Sequence, residues 1–193
     1  MLTAFVSTDW FRWYLVQYEC PVMLKDLALA VQALASIRIG ALIAILRRDS
    51  LMAWADTGIP LDAQFSYDLM LNIFIPGTPL HDGAVVVSGD QVLAAGCILP
   101  LSQNPRLAYQ LGTRHRAALG MTEETDALVI VVSEESGHIS IAEGGRLIPN
   151  LDPGSLRSNL ASLVRGGDSK DGAAKRKTKK EKAAEVAESA ARS

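Results

Sequence analysis

The segment Thr78–Leu101, TPLHDGAVVVSGDQVLAAGCILPL, decides how the fold is read. Its two apolar runs, Ala84–Val87 and Val92–Ile98, flank the turn-forming pair Gly89-Asp90, and this pattern predicts a β-hairpin. Asp82 stands just ahead of the first run. A carboxylate at the start of a buried strand must be solvated, cap a turn or take part in chemistry. The segment alone leaves these alternatives open.

Helical and strand-like patterns alternate before this hairpin. Apolar spacing predicts a helix over Val22–Ser36, and the wholly apolar run Ile39–Leu46 predicts a central strand covered on both faces. A second helix is predicted over Asp62–Phe74, because Pro and Gly residues follow it directly.

The same alternation continues after the hairpin. Thr113 is a plausible N-cap of a helix that Gly120 would end. A second hairpin is predicted from Leu128–Val132 and Ile139–Ala142, and a last helix begins near Pro153. Two hairpins among alternating helices and strands predict an α/β fold, a single globular domain with a mixed central β-sheet flanked by helices.

Composition favours one domain with appendages, because 193 residues that are 49% hydrophobic suit one well-buried core. We therefore divide the chain into an aromatic-rich N-terminal segment (1–21), the domain (22–165) and a basic tail (166–193), which is expected to be disordered. The tail has eight Lys/Arg against five Asp/Glu, so it carries +3 and leaves −5 for the body. An acidic body is not expected to bind nucleic acid, and any anionic ligand needs a local cluster of cations.

Cysteine usage and hydropathy indicate a cytoplasmic protein. Cys20 and Cys97 lie far apart with no CxxC spacing, so neither a disulfide nor a thiolate metal site is expected. No segment qualifies as a membrane span or as a signal peptide. The aromatic segment suits a helix packed on the body, an interfacial membrane contact or a partner-binding helix, and the basic tail suits solvent, anionic lipid or nucleic acid. Peripheral membrane contact thus stays open.

Three polar clusters fall at the ends of predicted elements. In the first, Gly83 removes side-chain bulk beside Asp82, so a ligand could approach the backbone there. The second is Gly112–Arg116, which places two arginines and a histidine at a helix start, where backbone amides and the helix dipole favour a phosphate. The third is Ser133–Glu135 after an apolar strand, where one glutamate should face a cleft and the other water.

Together these clusters predict a nucleotide-phosphate site. Asp82 and one of the glutamates would offer oxygen ligands to Mg²⁺ or Mn²⁺, which commonly bind one or two carboxylates plus substrate phosphates. Neither GxxxxGK[ST] nor GxGxxG is present, so the common nucleotide-binding loops do not explain the pattern.

The motifs LHDGAVVV, LGTRHRAALG and VVSEESGHIS, in this order and spacing, closely resemble the catalytic domain of bacterial diadenylate cyclases. The similarity runs from about Leu24 to about Leu163 and includes RIGALIAI, TGIPLDA, NIFIPGTPLHDGA and GCILPLSQNP. These enzymes are nucleotidyltransferases that condense two ATP molecules into cyclic di-AMP and release pyrophosphate. The pattern is most similar to the membrane-bound type, which carries transmembrane helices ahead of this domain.

The resemblance implies a role for each matching residue. Asp82 would lie by the ribose 3′-hydroxyl and, with Glu135, hold the metal. The catalytic motifs of the family fall on Asp82, Gly83, Ala84, Arg114, His115 and Arg116. Its nucleotide-binding positions fall on Leu99, Thr113, Arg114, Ser133, Glu134 and Glu135.

The resemblance also implies an assembly. Each ATP supplies a nucleophile and an electrophile, so two half-sites should face each other across a two-fold axis in a homodimer that forms at least transiently. A regulatory protein partner is a further expectation. Two alternatives stay open: a non-catalytic module that binds ATP or cyclic di-AMP in the same site, and an interaction protein that works through its tail and aromatic segment.

Overall fold

The structure, a computed structural model, describes residues 21–104 and 111–165. Its helices are α1 (Pro21–Ser36), α2 (Met52–Ala55), α3 (Tyr67–Ile73), α4 (Thr113–Glu124) and α5 (Leu156–Arg165). Its strands are β1 (Ala41–Ile45), β2 (Ile59–Gln64), β3 (Ala84–Ser88), β4 (Gln91–Cys97), β5 (Leu128–Val132), β6 (Ile139–Glu143) and β7 (Arg146–Leu151). The predictions for the aromatic segment and the basic tail lie outside the described residues.

The strands form one sheet in the order β2-β4-β3-β1-β5-β6-β7. Strands β1 and β3 pair in parallel, and the other neighbouring strands pair antiparallel. The predicted α/β fold with a mixed central sheet is therefore confirmed. Among the described residues, no helix combines the length and the apolar character needed to cross a membrane.

The central strands are buried on both faces. In β1, Ile43 packs into a cluster that contains Leu27 of α1, and the next residue, Ala44, packs into a cluster that contains Met121 of α4. All five residues of β1 are buried. This explains the uninterrupted apolar run, because a strand covered by helices on both sides has no polar face. The sheet is thus the middle layer, with α1, α3 and α5 on one face and α2 and α4 on the other.

The predicted helix over Asp62–Phe74 is wrong in its first part. Residues Ile59–Gln64 form the edge strand β2, and the helix begins only at Tyr67, where the Ser66 hydroxyl caps the Leu69 amide at 3.2 Å. Most of β2 is exposed, so its sequence lacks the alternation of apolar and polar residues that predicts a half-buried strand. It is a strand because it pairs with β4. An edge strand also tolerates Pro60.

The helix after Thr113 does not end at Gly120, contrary to expectation. It continues to Glu124, Gly112 is the N-cap, and Thr113 is the first helical residue. Gly120 is buried inside the helix because the chain at Pro100 passes directly over it. Its small size serves packing, and it does not stop the helix.

The remaining boundaries are close to those predicted. Both hairpins form, and the ends of the two strands in each lie within one residue of the predicted ends. Strand β7 and the short helix α2 were not predicted. Strand β7 is a mostly exposed edge strand, and α2 has only four residues. The last helix begins at Leu156, after a turn in which Asp152 accepts a hydrogen bond from the Ser155 amide at 2.9 Å.

Candidate active site

Several chain segments reach the same edge of the sheet, and the strand register explains why. Strand β5 runs antiparallel to β1 with Val132 opposite Ala41, so the chain that leaves β5 lies beside the chain that enters β1. Strand β3 runs parallel to β1 with Val85 opposite Ile43, so β3 begins at this edge too. Strand β4 is antiparallel to β3 and ends there. The residues just outside these strand ends are therefore neighbours.

A cleft of about 830 Å³ opens at this edge, between the strand ends and the start of α4. It brings together most of the residues singled out from the sequence. These are Asp82, Gly83, Leu99, Thr113, Arg114, His115, Ser133, Glu134 and Glu135. Carboxylates and basic groups thus share one cavity large enough for a nucleotide-sized ligand.

Ala84 and Arg116 are not among the residues that line the cleft. Ala84 is the first residue of β3 and is fully buried in the core. Arg116 accepts a hydrogen bond from the Ser102 amide through its backbone oxygen at 3.0 Å. Its Nε is buried and has no hydrogen-bond partner among the described residues. The catalytic roles that the resemblance gives these two residues remain predictions.

Asp82 is exposed at the mouth of the cleft. Within the described part of the chain its carboxylate accepts no hydrogen bond, and the preceding turn is closed by His81, whose Nδ1 lies 2.5 Å from the Thr78 oxygen. Gly83 has a φ of 128° and a Cβ there would lie 2.6 Å from the carbonyl carbon of Gly96, so the backbone of β4 occupies the space beside it. Only glycine fits there, so the backbone next to Asp82 packs directly against β4.

The start of α4 presents cationic and amide groups to the cleft. Its N-cap is Gly112, which has no side chain to cap the first-turn amides. Those amides and the positive end of the helix dipole favour an anion. Thr113 is exposed there, and Arg114 forms an ion pair with Glu134, with 2.6 Å between Nη1 and Oε2. These groups are those that the sequence predicted for an anion site, and that site stays a prediction.

His115 faces the same cleft in a partly buried position. Burial lowers the pKa of this histidine from its ordinary value of 6.5, and the negative charge of Glu135 opposes that shift. The imidazole is therefore mainly neutral at pH 7. A neutral imidazole has one nitrogen that donates a hydrogen bond and one that accepts.

Ser133, Glu134 and Glu135 follow β5 in a tight turn, where the Gly137 amide bonds the Ser133 oxygen at 2.9 Å. The expectation that one glutamate faces water and the other the cleft is wrong, because strand alternation does not extend beyond Val132 and both line the cleft. Residues 21–104 and 111–165 contain no group of three His, Cys, Asp or Glu side chains placed to hold a metal ion.

Sequence reasoning missed several residues that line the cleft. They are Leu42, Gly96, Cys97, Ile98, Leu101, Leu111, Ala117 and Val132. Most lie at or next to strand ends, so the strand register would have found them. Burial raises the pKa of the Cys97 thiol to about 11, which leaves an inert, protonated group. The next residue, Ile98, is 72% exposed to solvent, whereas Cys97 is buried.

Residues 28–147 match the model of a family described as DisA bacterial checkpoint controller nucleotide-binding. A diadenylate cyclase of Listeria monocytogenes is 47% identical over 145 residues, which are 75% of this chain and 53% of that protein. Cyclic di-AMP synthase CdaA of Bacillus subtilis is 49% identical over 131 residues, which are 68% of this chain and 48% of that protein. The chain therefore spans about half the length of these two relatives.

A solved structure shares the fold as well as the sequence pattern. The crystal structure of DacA from Staphylococcus aureus, a double mutant, superposes with a TM-score of 0.71 and is 40% identical. The superposition covers 74% of this chain and 95% of that one. The mixed sheet and its flanking helices are therefore those of a known fold.

Proposed function

The chain belongs to the DisA-type nucleotide-binding family, and from that premise we propose that it is a diadenylate cyclase. Such an enzyme joins two ATP molecules into cyclic di-AMP and releases two pyrophosphates. The observation that carries the proposal is the convergence of Asp82, the first turn of α4 and Ser133–Glu135 on one cleft. Acidic and basic groups are both needed there, for the attacking hydroxyl and for the phosphates.

The basic side of the cleft would bind the phosphates of ATP. Arg114 can donate two parallel hydrogen bonds to phosphate oxygens, and Thr113 adds a hydroxyl donor. The uncapped amides of α4 add further donors that need no rearrangement. His115 would donate a hydrogen bond to a phosphate oxygen, and its burial favours the neutral imidazole by lowering its pKa. These groups would stabilise negative charge that builds up on the α-phosphate as it is attacked.

The acidic side would orient the ribose. Asp82, exposed and without a protein hydrogen bond among the described residues, is free to accept one from the 3′-hydroxyl and to assist its deprotonation. Asp82 and Glu135 both line the cleft and would hold Mg²⁺ or Mn²⁺, whose remaining ligands are commonly water and substrate phosphates. When bound, such an ion lowers the pKa of an attached hydroxyl and neutralises phosphate charge.

Assembly follows from the chemistry. Each ATP must offer its 3′-oxygen to the other, so two clefts should face each other across a two-fold axis in a homodimer. The exposure of Asp82, Thr113, Glu134 and Glu135 suits this, because a second cleft could approach them. A single chain should therefore bind ATP without turning it over.

Product formation tests the proposal. Purified protein is incubated with ATP and Mg²⁺ or Mn²⁺, and cyclic di-AMP is measured by chromatography. Asp82→Asn should abolish product while ATP still binds. Asp90→Asn is the matched control, because Asp90 is also an exposed turn aspartate but lies outside the cleft, and should keep full activity. Tight ATP binding without product at any protein concentration or metal would instead support a non-catalytic nucleotide-binding module.

A further inference from the structure

Gly40 lies directly behind the ion pair between Arg114 and Glu134. Because glycine has no side chain, the backbone at position 40 lies against this pair. Gly40 is buried and immediately precedes β1. A Cβ on Gly40 would lie 2.7 Å from Nη1 of Arg114, 2.9 Å from its Cζ and 3.0 Å from Oε2 of Glu134. The guanidinium and the carboxylate therefore occupy the volume that any side chain at position 40 would need.

The topology places Gly40 there. Helix α1 ends at Ser36, and the chain then reverses through Arg38, which has a φ of 54°, while the Ile39 amide bonds back to the Leu34 oxygen at 2.9 Å. The pairing of β1 with β5 then sets Gly40 beside the turn that carries Glu134. The first turn of α4 brings Arg114 to the same point.

The ion pair orients the Arg114 side chain more than it stabilises the folded protein. The Arg114 and Glu134 side chains are 25% and 61% exposed, and such solvent-exposed pairs contribute little to folding. A charge-assisted contact at 2.6 Å nevertheless restricts a long side chain to one arrangement. The bare backbone at Gly40 supports that arrangement from behind, so the guanidinium stays at the wall of the cleft.

We propose that Gly40 is a positioning residue that, with the Glu134 carboxylate, holds the Arg114 guanidinium where it can bind a nucleotide phosphate. This rests on the proposed function and goes beyond it, because it gives Glu134 a role through Arg114. Gly40 itself does not line the cleft. Its contribution is the space that its missing side chain leaves.

Gly40 differs physically from other glycines near the cleft. A Cβ on Gly58, Gly83 or Gly120 would lie 2.2 to 2.6 Å from a backbone atom, so substitution there must distort the fold. At Gly40 the nearest atoms are the ends of flexible side chains, and its φ is not positive. Gly40→Ala should therefore fold normally and displace only the Arg114 guanidinium and its partner.

Two measurements on the full chain test this. The first is the side-chain Nε–H signal of Arg114 in nuclear magnetic resonance spectra, assigned by its loss in Arg114→Ala. The second is ATP affinity by calorimetry. Gly40→Ala should shift the Arg114 signal, leave the melting temperature unchanged and weaken ATP binding roughly tenfold, as expected when one charge-assisted hydrogen bond is impaired. Glu134→Gln should also shift the signal.

Gly154→Ala is the matched control. Its Cβ would also meet the end of a flexible side chain, Oδ2 of Asp152 at 3.1 Å, but it lies outside the cleft, so signal and affinity should match the wild type. An unmoved Arg114 signal, unchanged ATP affinity or a marked loss of thermal stability in Gly40→Ala would each overturn the proposal. If the wild-type protein does not bind ATP, the proposed function fails, while the Arg114 signal still decides whether Gly40 positions that side chain.

Discussion

Replacing Gly120 with alanine tests the packing that joins α4 to the segment before it, and the structure predicts a sign opposite to helix propensity. In an exposed helix interior, Gly→Ala stabilises by about 1 kcal/mol. Here the new Cβ would lie 2.2 Å from the Pro100 oxygen and 2.7 Å from both the Leu101 carbonyl carbon and the Ser102 nitrogen. All three are backbone atoms, which cannot swing aside.

The size of the effect follows from these distances. Ordinary contact begins near 3.4 Å, so the helix or the segment must retreat by about 1 Å. Overpacking a tight interior costs roughly 1–3 kcal/mol, and a backbone clash belongs at the upper end, about 3 kcal/mol. Subtracting the propensity gain of about 1 kcal/mol leaves a net loss of about 2 kcal/mol. In a domain of this size that lowers Tm by about 4–8 °C.

Thermal unfolding followed by circular dichroism, with urea titration as a second measure, gives the result. Gly112→Ala is the control, because no atom lies within 4 Å of the Cβ it would add. That variant should lose less than about 1 kcal/mol, the range for a changed N-cap. A Gly120→Ala protein with a raised Tm would refute the packing and restore helix propensity as the dominant effect.

Three further outcomes are expected. Glu143→Gln should lower the free energy of unfolding by about 1–3 kcal/mol, because Glu143 pairs at 2.7 Å with the largely buried Arg47; a change below about 0.5 kcal/mol in urea titration would contradict this. Cys97 should resist iodoacetamide in the native protein near pH 8, since burial raises its pKa to about 11, and rapid labelling seen by peptide mass spectrometry would be inconsistent with that burial. The lowered pKa of His115 means that the unfolded chain binds more protons below about pH 6.5, so the free energy of unfolding should fall as pH drops from 7 towards 5; the slope should be smaller in His115→Gln, and an identical slope would count against the shift.

The sequence predicted the parts of the fold whose residues are buried. The hairpin of β3 and β4 and the central strand β1 are apolar runs with turn residues at their ends, so local pattern and tertiary burial agree. Strands β2 and β7 were missed because they lie at the two edges of the sheet, where exposure weakens the pattern and pairing with a neighbour makes the strand. The predicted helix end at Gly120 was wrong for a related reason, because the role of this glycine depends on its contact with Pro100, in a separate segment of the chain.

The candidate site was foreseen where a motif carried the information. Asp82 and Arg114 were named from their chemistry and Glu135 from the family resemblance, and the strand register explains why such separate segments meet. Gly40 was missed because a glycine before a strand carries no chemical signal. Its meaning depends on two side chains far away in sequence, Arg114 and Glu134, which only the folded chain brings against it.

The most direct test of the proposed activity is the conversion of ATP by the wild-type protein beside Asp82→Asn, with cyclic di-AMP and pyrophosphate quantified in the same reaction. We expect two pyrophosphates for each cyclic di-AMP, a rate that rises faster than linearly with protein concentration, and no product from Asp82→Asn despite retained ATP binding. Cyclic di-AMP formed equally well by Asp82→Asn, or ATP bound by the wild type without any product at all, would contradict the assignment of this cleft as a diadenylate cyclase site.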